Sequence, residues 1–443
     1  MSSNVFSDLI SSYTTWAALS AYLSSPEGGS LRIDDHSTPE NPFALIRYMK
    51  GRSDMTLAHV RAFRSVIWDT LTNRPVSVTA FKSHDGESLP TTESITDMDS
   101  IEYFMDGVMI GMFWDKYNNA WRIHTRSTLD ARCRYYSQTK TFASMFTEAV
   151  GSHRETMERS LNTNTSYTWV LQHPDNRIVV PVKMPRVYCV EAITVNANGS
   201  VTRSVVPDAA FPVPKLEIAS PTWSKIQEML DDWNRRFGHT VQGMVVKRGL
   251  ERYKTRTTAY NTVRRLRGNS ARRDFMWLNE WRAGTLTAYL SLFPEERSMA
   301  NATIARWKQI TNEVYHMYVG VFKARNIPKH TIPPKYRPLV YGIHNLYMNT
   351  LKPAGKTVDW KACLSYMNER DTAQMLFVMN WDLRETAKRL GMSSIPIEPP
   401  STTSGTHVDG GDDADAAPAP PGGSPVSVPA TEPAAAEAAP APV

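Results

Sequence analysis

The chain has 443 residues, with 50 Lys+Arg against 44 Asp+Glu, 41% hydrophobic residues and three cysteines, which is long enough for two or three domains around sizeable cores. Cys133, Cys189 and Cys363 form no CxxC pair and have no paired histidine nearby, which argues against a disulfide framework and a thiolate zinc site. No run reaches the ~18 apolar residues of a bilayer span and no signal-peptide pattern opens the chain, so an intracellular protein, cytoplasmic or nuclear, is expected.

Residues 1–70 read as mixed and mostly helical, with a turn at SPEGGSLRIDD (25–35) and a helix over 55–71. From 75 to 250 the pattern changes to short β-rich runs: VSVTAF (76–81), VMIGMFW (108–114), WRIHTR (121–126), TWVLQ (168–172), RIVVPV (177–182), VYCVEAITV (187–195) and GMVVK (243–247). Turn signals such as DKYNNA and NANGS between them predict antiparallel hairpins. Helices are expected near 139–160 and over 221–238, and residues 272–395 carry Leu, Met and aromatic residues at helical spacing. From Pro400 the chain is Pro, Ala, Ser, Thr and Gly with six acids and no Lys or Arg. Such a segment buries too little apolar surface to offset its ordering entropy and is expected to be disordered, with a protein partner as one use for it. With those six acids set aside, the net charge of +6 becomes +12 on the rest, which makes a polyanion an expected partner.

Five segments, in order, resemble the covalent nucleotidyltransferase superfamily, and within it the phage-type ATP-dependent RNA ligases. The KxDG motif, whose lysine takes AMP in that family, corresponds to Phe104-Met105-Asp106-Gly107 in EYFMDGVMIGMFW. WRIHTRSTLDA (121–131) resembles the next motif and keeps its basic residue as Arg126. TWVLQHPDNRIV (168–179) resembles a segment in which Val170 stands where the family has a glutamate. EGxV appears as Gln242-Gly243-Met244-Val245, and KxK as Lys254-Thr255-Arg256. The resemblance covers roughly 40–270 and implies an α+β fold: an antiparallel-sheet, adenylation-type nucleotidyltransferase domain (1–270), then an all-helical domain (271–395) and the tail (396–443). It also implies nucleotide contacts at Lys82, Asp106, Gly107, Arg126, Lys254 and Arg256.

The chemistry departs from the family at three places. Lysyl transfer needs an amine to attack the α-phosphorus and Mg²⁺ to neutralise the phosphates. Phenylalanine 104 has no nucleophilic atom, and Val170 and Gln242 lack the carboxylates that the family uses for sugar and metal contacts. The expectation is therefore a catalytically degenerate homologue, with ATP and Mg²⁺ as cofactors only if activity persists. A rival nucleophile is Lys82 in FKSHDGESL (81–89), but its Lys-to-Asp spacing is one residue too long, and on a strand that reverses the face of the lysine. Lys82 fits better as an upstream residue that contacts the nucleotide. No histidine pair has metal-ligand spacing, and no metal site is expected.

The strongest electrostatic feature is residues 247–273, with ten Lys/Arg (Lys247, Arg248, Arg252, Lys254, Arg256, Arg264, Arg265, Arg267, Arg272, Arg273), one acid and two interleaved tyrosines. Cations beside rings suit an RNA backbone and unpaired bases, whereas a solvated face joining two domains is the bland alternative. The leading reading is thus a ligase-like protein that binds RNA or nucleotide. An active ATP-dependent RNA ligase and a scaffold built on the ligase fold are the rivals.

Overall fold

The computed structural model describes residues 2–86, 95, 100–137, 139–218 and 221–391. The expected tail, 396–443, lies outside the described residues. In chain order the structure begins with β1 (Ser2–Ser3), α1 (Val5–Ser12), α2 (Trp16–Ser24), β2 (Arg32–Asp35), β3 (Phe43–Arg47), β4 (Val66–Asp69) and β5 (Arg74–Val78). Next come β6 (His84–Asp85), β7 (Ser100–Tyr103), β8 (Val108–Asp115), β9 (Ala120–His124), α3 (Phe142–Val150), α4 (Arg154–Ser160), β10 (Thr165–Gln172), β11 (Arg186–Val195) and β12 (Val201–Arg203). Then follow α5 (Trp223–Phe237), β13 (Gly243–Arg248), β14 (Glu251–Arg256), α6 (Thr258–Arg267), α7 (Arg273–Arg282), α8 (Leu286–Leu292) and α9 (Arg297–Tyr318). The described part ends with α10 (Arg337–Leu346), α11 (Trp360–Asn368), α12 (Thr372–Met379) and α13 (Trp381–Arg389). The fold is α+β, antiparallel sheets followed by helices, as the sequence predicts.

Three sheets organise the first 256 residues: β2-β3-β4-β5, β1-β12-β11-β10-β8-β9 and β6-β14-β13-β7. Every pairing is antiparallel except the short β14–β6 contact. The α5 helix shows how sequence places an element here. Thr222 caps its first turn by accepting the Lys225 N–H, and Ile226, Leu230 and Trp233 form one buried stripe. That stripe packs on Ile101 of β7 and Met244 and Val246 of β13, so the opposite face of this sheet is left to look inward.

Two expectations fail for physical reasons. Residues 55–71 are not a helix but a single 3₁₀ turn, Val60–Ala62, followed by β4. All four β4 residues are buried, so the strand lacks the alternation that marks a half-exposed one. Residues 1–70 are accordingly two helices followed by strands. RIVVPV (177–182) is no strand either: the Val179 and Val180 N–H groups donate to the Asp106 carboxylate at 3.0 and 2.8 Å, and Pro181 supplies no donor.

The largest apolar core joins Ile110, Trp169 and Cys189 of the six-stranded sheet to Trp277, Tyr289 and Phe293 of the first helices after it. A second core, including Trp307, Val340, Cys363 and Met375, lies wholly within the helical region. No helix among the described residues is long and apolar enough to cross a membrane.

Candidate functional site

The inward face of the β6-β14-β13-β7 sheet meets β11 and β12 of the six-stranded sheet. Side chains alternate along a strand, so Arg252, Lys254 and Arg256 of β14 share one face; opposite them in register stand Lys247, Val245 and Gly243 of β13. Lys247 fixes which way that face looks. Its ammonium donates to the Val190 carbonyl of β11 and pairs with Glu102 of β7 at 2.7 Å and Glu191 of β11 at 3.9 Å. Arg203 completes the cluster, 2.8 Å from Glu191 and 3.6 Å from Glu102. Two carboxylates and two cations thus neutralise one another between the sheets.

Beyond this cluster the β14 face carries three cationic side chains, Arg252, Lys254 and Arg256. Arg252 is 4% exposed and Lys254 3%. The Arg252 Nε and Nη1 are buried with no hydrogen-bond partner among the described residues. Desolvating guanidinium donors without a partner costs several kcal/mol in general; Arg273 shares that feature at its Nε and Nη1, but it has a carboxylate partner in Glu296, whereas Arg252 has none among the described residues. The Gln242 side-chain oxygen is likewise buried and unpartnered.

The segment corresponding to the nucleophile motif sits at the same end. Phe104 donates its backbone N–H to the Gly243 carbonyl, and the Arg256 guanidinium lies 4.9 Å from its ring centroid, a cation–π contact. The structure therefore brings together positions 104, 243 and 256. Gly243 (φ +153) has no room for a side chain, since a Cβ would run into the backbone of Thr255. Val170 is buried with Val190 and Val213, and Met105 and Tyr188 pack on the group. Where the resemblance calls for a carboxylate, the side chains are apolar.

Asp106 has a different role. Besides accepting from Val179 and Val180, its carboxylate accepts the Tyr260 hydroxyl at 2.7 Å, and its carbonyl accepts from Gln172 at 2.7 Å. Burial and the neighbouring Asp106 hold the Tyr260 phenol well above its ordinary pKa, so the hydroxyl stays a donor. Gly107 passes directly over the Leu171 carbonyl, where a Cβ would clash. Asp106 and Gly107 therefore act here as a staple between strands.

The other predicted residues are scattered. Arg126 is 7% exposed, donates to the Tyr48 carbonyl at 3.0 Å and lies 4.4 Å from the Tyr48 ring centroid, beside β3. Lys82 is half-buried, and its carbonyl accepts from Arg61. Ser166 and Thr168 of β10 hold the N–H groups of Val78 and Ala80, but the Lys82 N–H donates to the Arg61 carbonyl instead.

In the second half of the basic run, Arg267 and Arg273 are buried. They converge on Glu296 at 2.5 and 2.6 Å and donate to the Tyr289 hydroxyl; Trp277 Nε1 (2.8 Å) and Tyr289 (2.7 Å) add donors to the same carboxylate. Although burial opposes ionisation, Arg267 and Arg273 hold the Glu296 pKa down at about 2. These two cations, like Lys247, are spent inside the protein. Arg265 is exposed, Arg248, Arg264 and Arg272 are partly exposed, and Arg272 lies 4.0 Å from Asp274.

Sequence reading missed the partners Glu102, Glu191, Arg203 and Glu296. The one available signal was the cation at every second residue of ERYKTR, a strand period inside a run read only as charge. Among the described residues no group of three or more His, Cys, Asp or Glu is arranged to hold a metal ion. Val170 and Gln242 carry no carboxylate, and the nearby Glu102 and Glu191 are engaged by Lys247 and Arg203.

No family model matches the chain, and no curated protein matches it in sequence. Among solved structures the chain is similar to an archaeal ATP-dependent RNA ligase in form 1, at 12% identity and a TM-score of 0.39 over 87% of this chain and 90% of that one. It is similar also to form 2 of an archaeal ATP-dependent RNA ligase, at 11% identity and a TM-score of 0.39 over 69% of this chain and 82% of that one.

Proposed function

We propose that the protein binds the phosphates of RNA or a nucleotide in the cleft between its sheets, and that it has lost covalent nucleotidyl transfer at the position of Phe104. The observation that carries this reading is the β14 face: three cations in alternation, one of them a buried guanidinium with two unpartnered donors, beside a phenylalanine ring where a lysine would be needed. Charge-assisted hydrogen bonds to phosphate oxygens are the chemistry such a face offers. No proton or phosphoryl group is moved at position 104, because the ring has neither a nucleophile nor a base.

The test has two arms. Titration of the full chain with ATP and with 5′-phosphorylated single-stranded RNA should show saturable, salt-sensitive binding that Arg252→Met and Lys254→Met each weaken. Intact mass after incubation with ATP and Mg²⁺ should be unchanged. Absent or salt-independent binding overturns the binding reading. A nucleotide adduct overturns the loss of transfer, and mapping that adduct to Lys82 would establish the active-ligase alternative.

A further inference from the structure

The helical region carries a second charged surface, remote in sequence from the cleft. Residues 314–358 contain seven Lys or Arg, three His and no Asp or Glu. This stretch folds as a hairpin. The end of α9 runs into a π-helical turn, Val319–Lys323, and α10 runs into another, Tyr347–Leu351. The ring contacts Tyr318–His344 and Phe322–Tyr341 fix the two helices as antiparallel. Two π-helical turns, each closing one arm of a hairpin, are uncommon, and such turns concentrate at functional sites.

Rings line the same flank. Phe322 and His344 stack at 3.8 Å with planes 13° apart, His344 continues to Tyr347 at 6.1 Å, and Tyr341 stands at the edge, 40% exposed. Lys329 lies 5.4 Å from the Phe322 ring centroid. Lys323, Arg325, Lys329 and Lys352 are exposed. The connecting loop folds back on the hairpin, with Asn326 and Ile327 donating to the Gly320 carbonyl. The nearby acids are at the rim and already engaged: Glu313 accepts the Tyr336 hydroxyl, and Asp382 pairs with Lys335 at 2.9 Å.

We infer that this α9–α10 hairpin is a contact surface for single-stranded nucleic acid, taking the backbone on its lysines and arginines and an unpaired base against the exposed Tyr341 ring, which the half-buried Phe322 supports from beside it. The commitment to nucleic acid over an acidic protein comes from pairing the charge with an exposed ring, Tyr341, since stacking on unpaired bases needs both. Nothing in this inference depends on the cleft.

The experiment uses the full chain with a fluorescent single-stranded RNA 20-mer, a polyphosphate of similar charge and poly-glutamate. Arg325→Gln, Lys329→Gln and Lys352→Gln combined should weaken RNA binding at least tenfold and reduce the slope of log K against log salt by about two, as loss of three backbone contacts to a single strand requires. Tyr341→Ala should weaken RNA by about tenfold and leave polyphosphate unchanged. ATP binding in both variants should match the parent, which separates this surface from the cleft. Unchanged RNA affinity and salt slope in the triple variant overturn the inference, as does poly-glutamate binding more tightly than RNA. Equal losses for RNA and polyphosphate in Tyr341→Ala overturn the base contact.

Discussion

The two halves of the basic run between 247 and 273 show what a charge count conceals. In β14 the cations alternate on one face turned toward the neighbouring sheet, where Arg252 has two unpartnered donors and no carboxylate partner among the described residues. From the end of α6 into α7, Arg267 and Arg273 close on one carboxylate, Glu296, with Tyr289 and Trp277 filling its remaining lone pairs. The same residue type is thus held by a buried acid at Arg267 and Arg273 and stands without one, among the described residues, at Arg252.

Mutation should expose that difference. Glu296→Ala leaves two buried guanidiniums without their counter-charge, and the expected loss is about 3–5 kcal/mol of stability, read as a lower urea midpoint. A loss under about 1 kcal/mol would mean that the two arginines find other partners.

Acid should separate a second buried group from the first. The buried His124, held by Ser65 and Ser77, has its pKa lowered by desolvation to about 4. The unfolded chain takes up that proton near pH 6.5 and the folded chain does not, so about 3 kcal/mol is expected to be lost as pH falls from 6.5 toward 4. Glu296, lowered to about 2 from an ordinary 4.5, adds its own loss only below pH 4.5. Urea midpoints measured across pH 3–8 should therefore fall in two stages, and His124→Gln should flatten the upper one.

Arg252→Met is the sharpest contrast with Glu296→Ala. Replacing an uncompensated buried charge by an apolar chain of similar length should raise stability by about 1 kcal/mol, while weakening phosphate binding. Arg267→Met should lower stability instead; equal effects at both positions would erase the distinction. The smallest effect is expected at Phe104→Leu, which forfeits the contact with Arg256, worth about 0.5–1 kcal/mol, and leaves nucleotide affinity near that of the parent.

Much of the sheet region was legible because its strands alternate or are bounded by Asn, Gly and Asp turns, as in β8 through β11. Of the first sheet only β5 was legible, within VSVTAF, since VIWD of β4 is buried on both faces and Phe43–Arg47 of β3 is buried throughout, which removes the period-two signal. RIVVPV misled in the opposite sense: its β-branched residues suit a strand, but its amides are captured by Asp106. At the site, positions 104, 243 and 256 lie together, Phe104 bonded to Gly243 and beneath Arg256. Lys247, Arg267 and Arg273 could not be sorted from their neighbours in advance, because their partners lie at distant positions such as Glu102 and Glu296 and only the fold brings them within reach.

Asp106 joins segments that are far apart along the chain: residues 179 and 180, 73 and 74 positions away, and Tyr260, 154 away. Contacts of that separation close large loops and form after local structure has condensed. Asp106→Asn should therefore accelerate unfolding far more than it slows refolding. On that outcome, an aspartate that a catalytic motif would assign to chemistry sets the lifetime of the folded state.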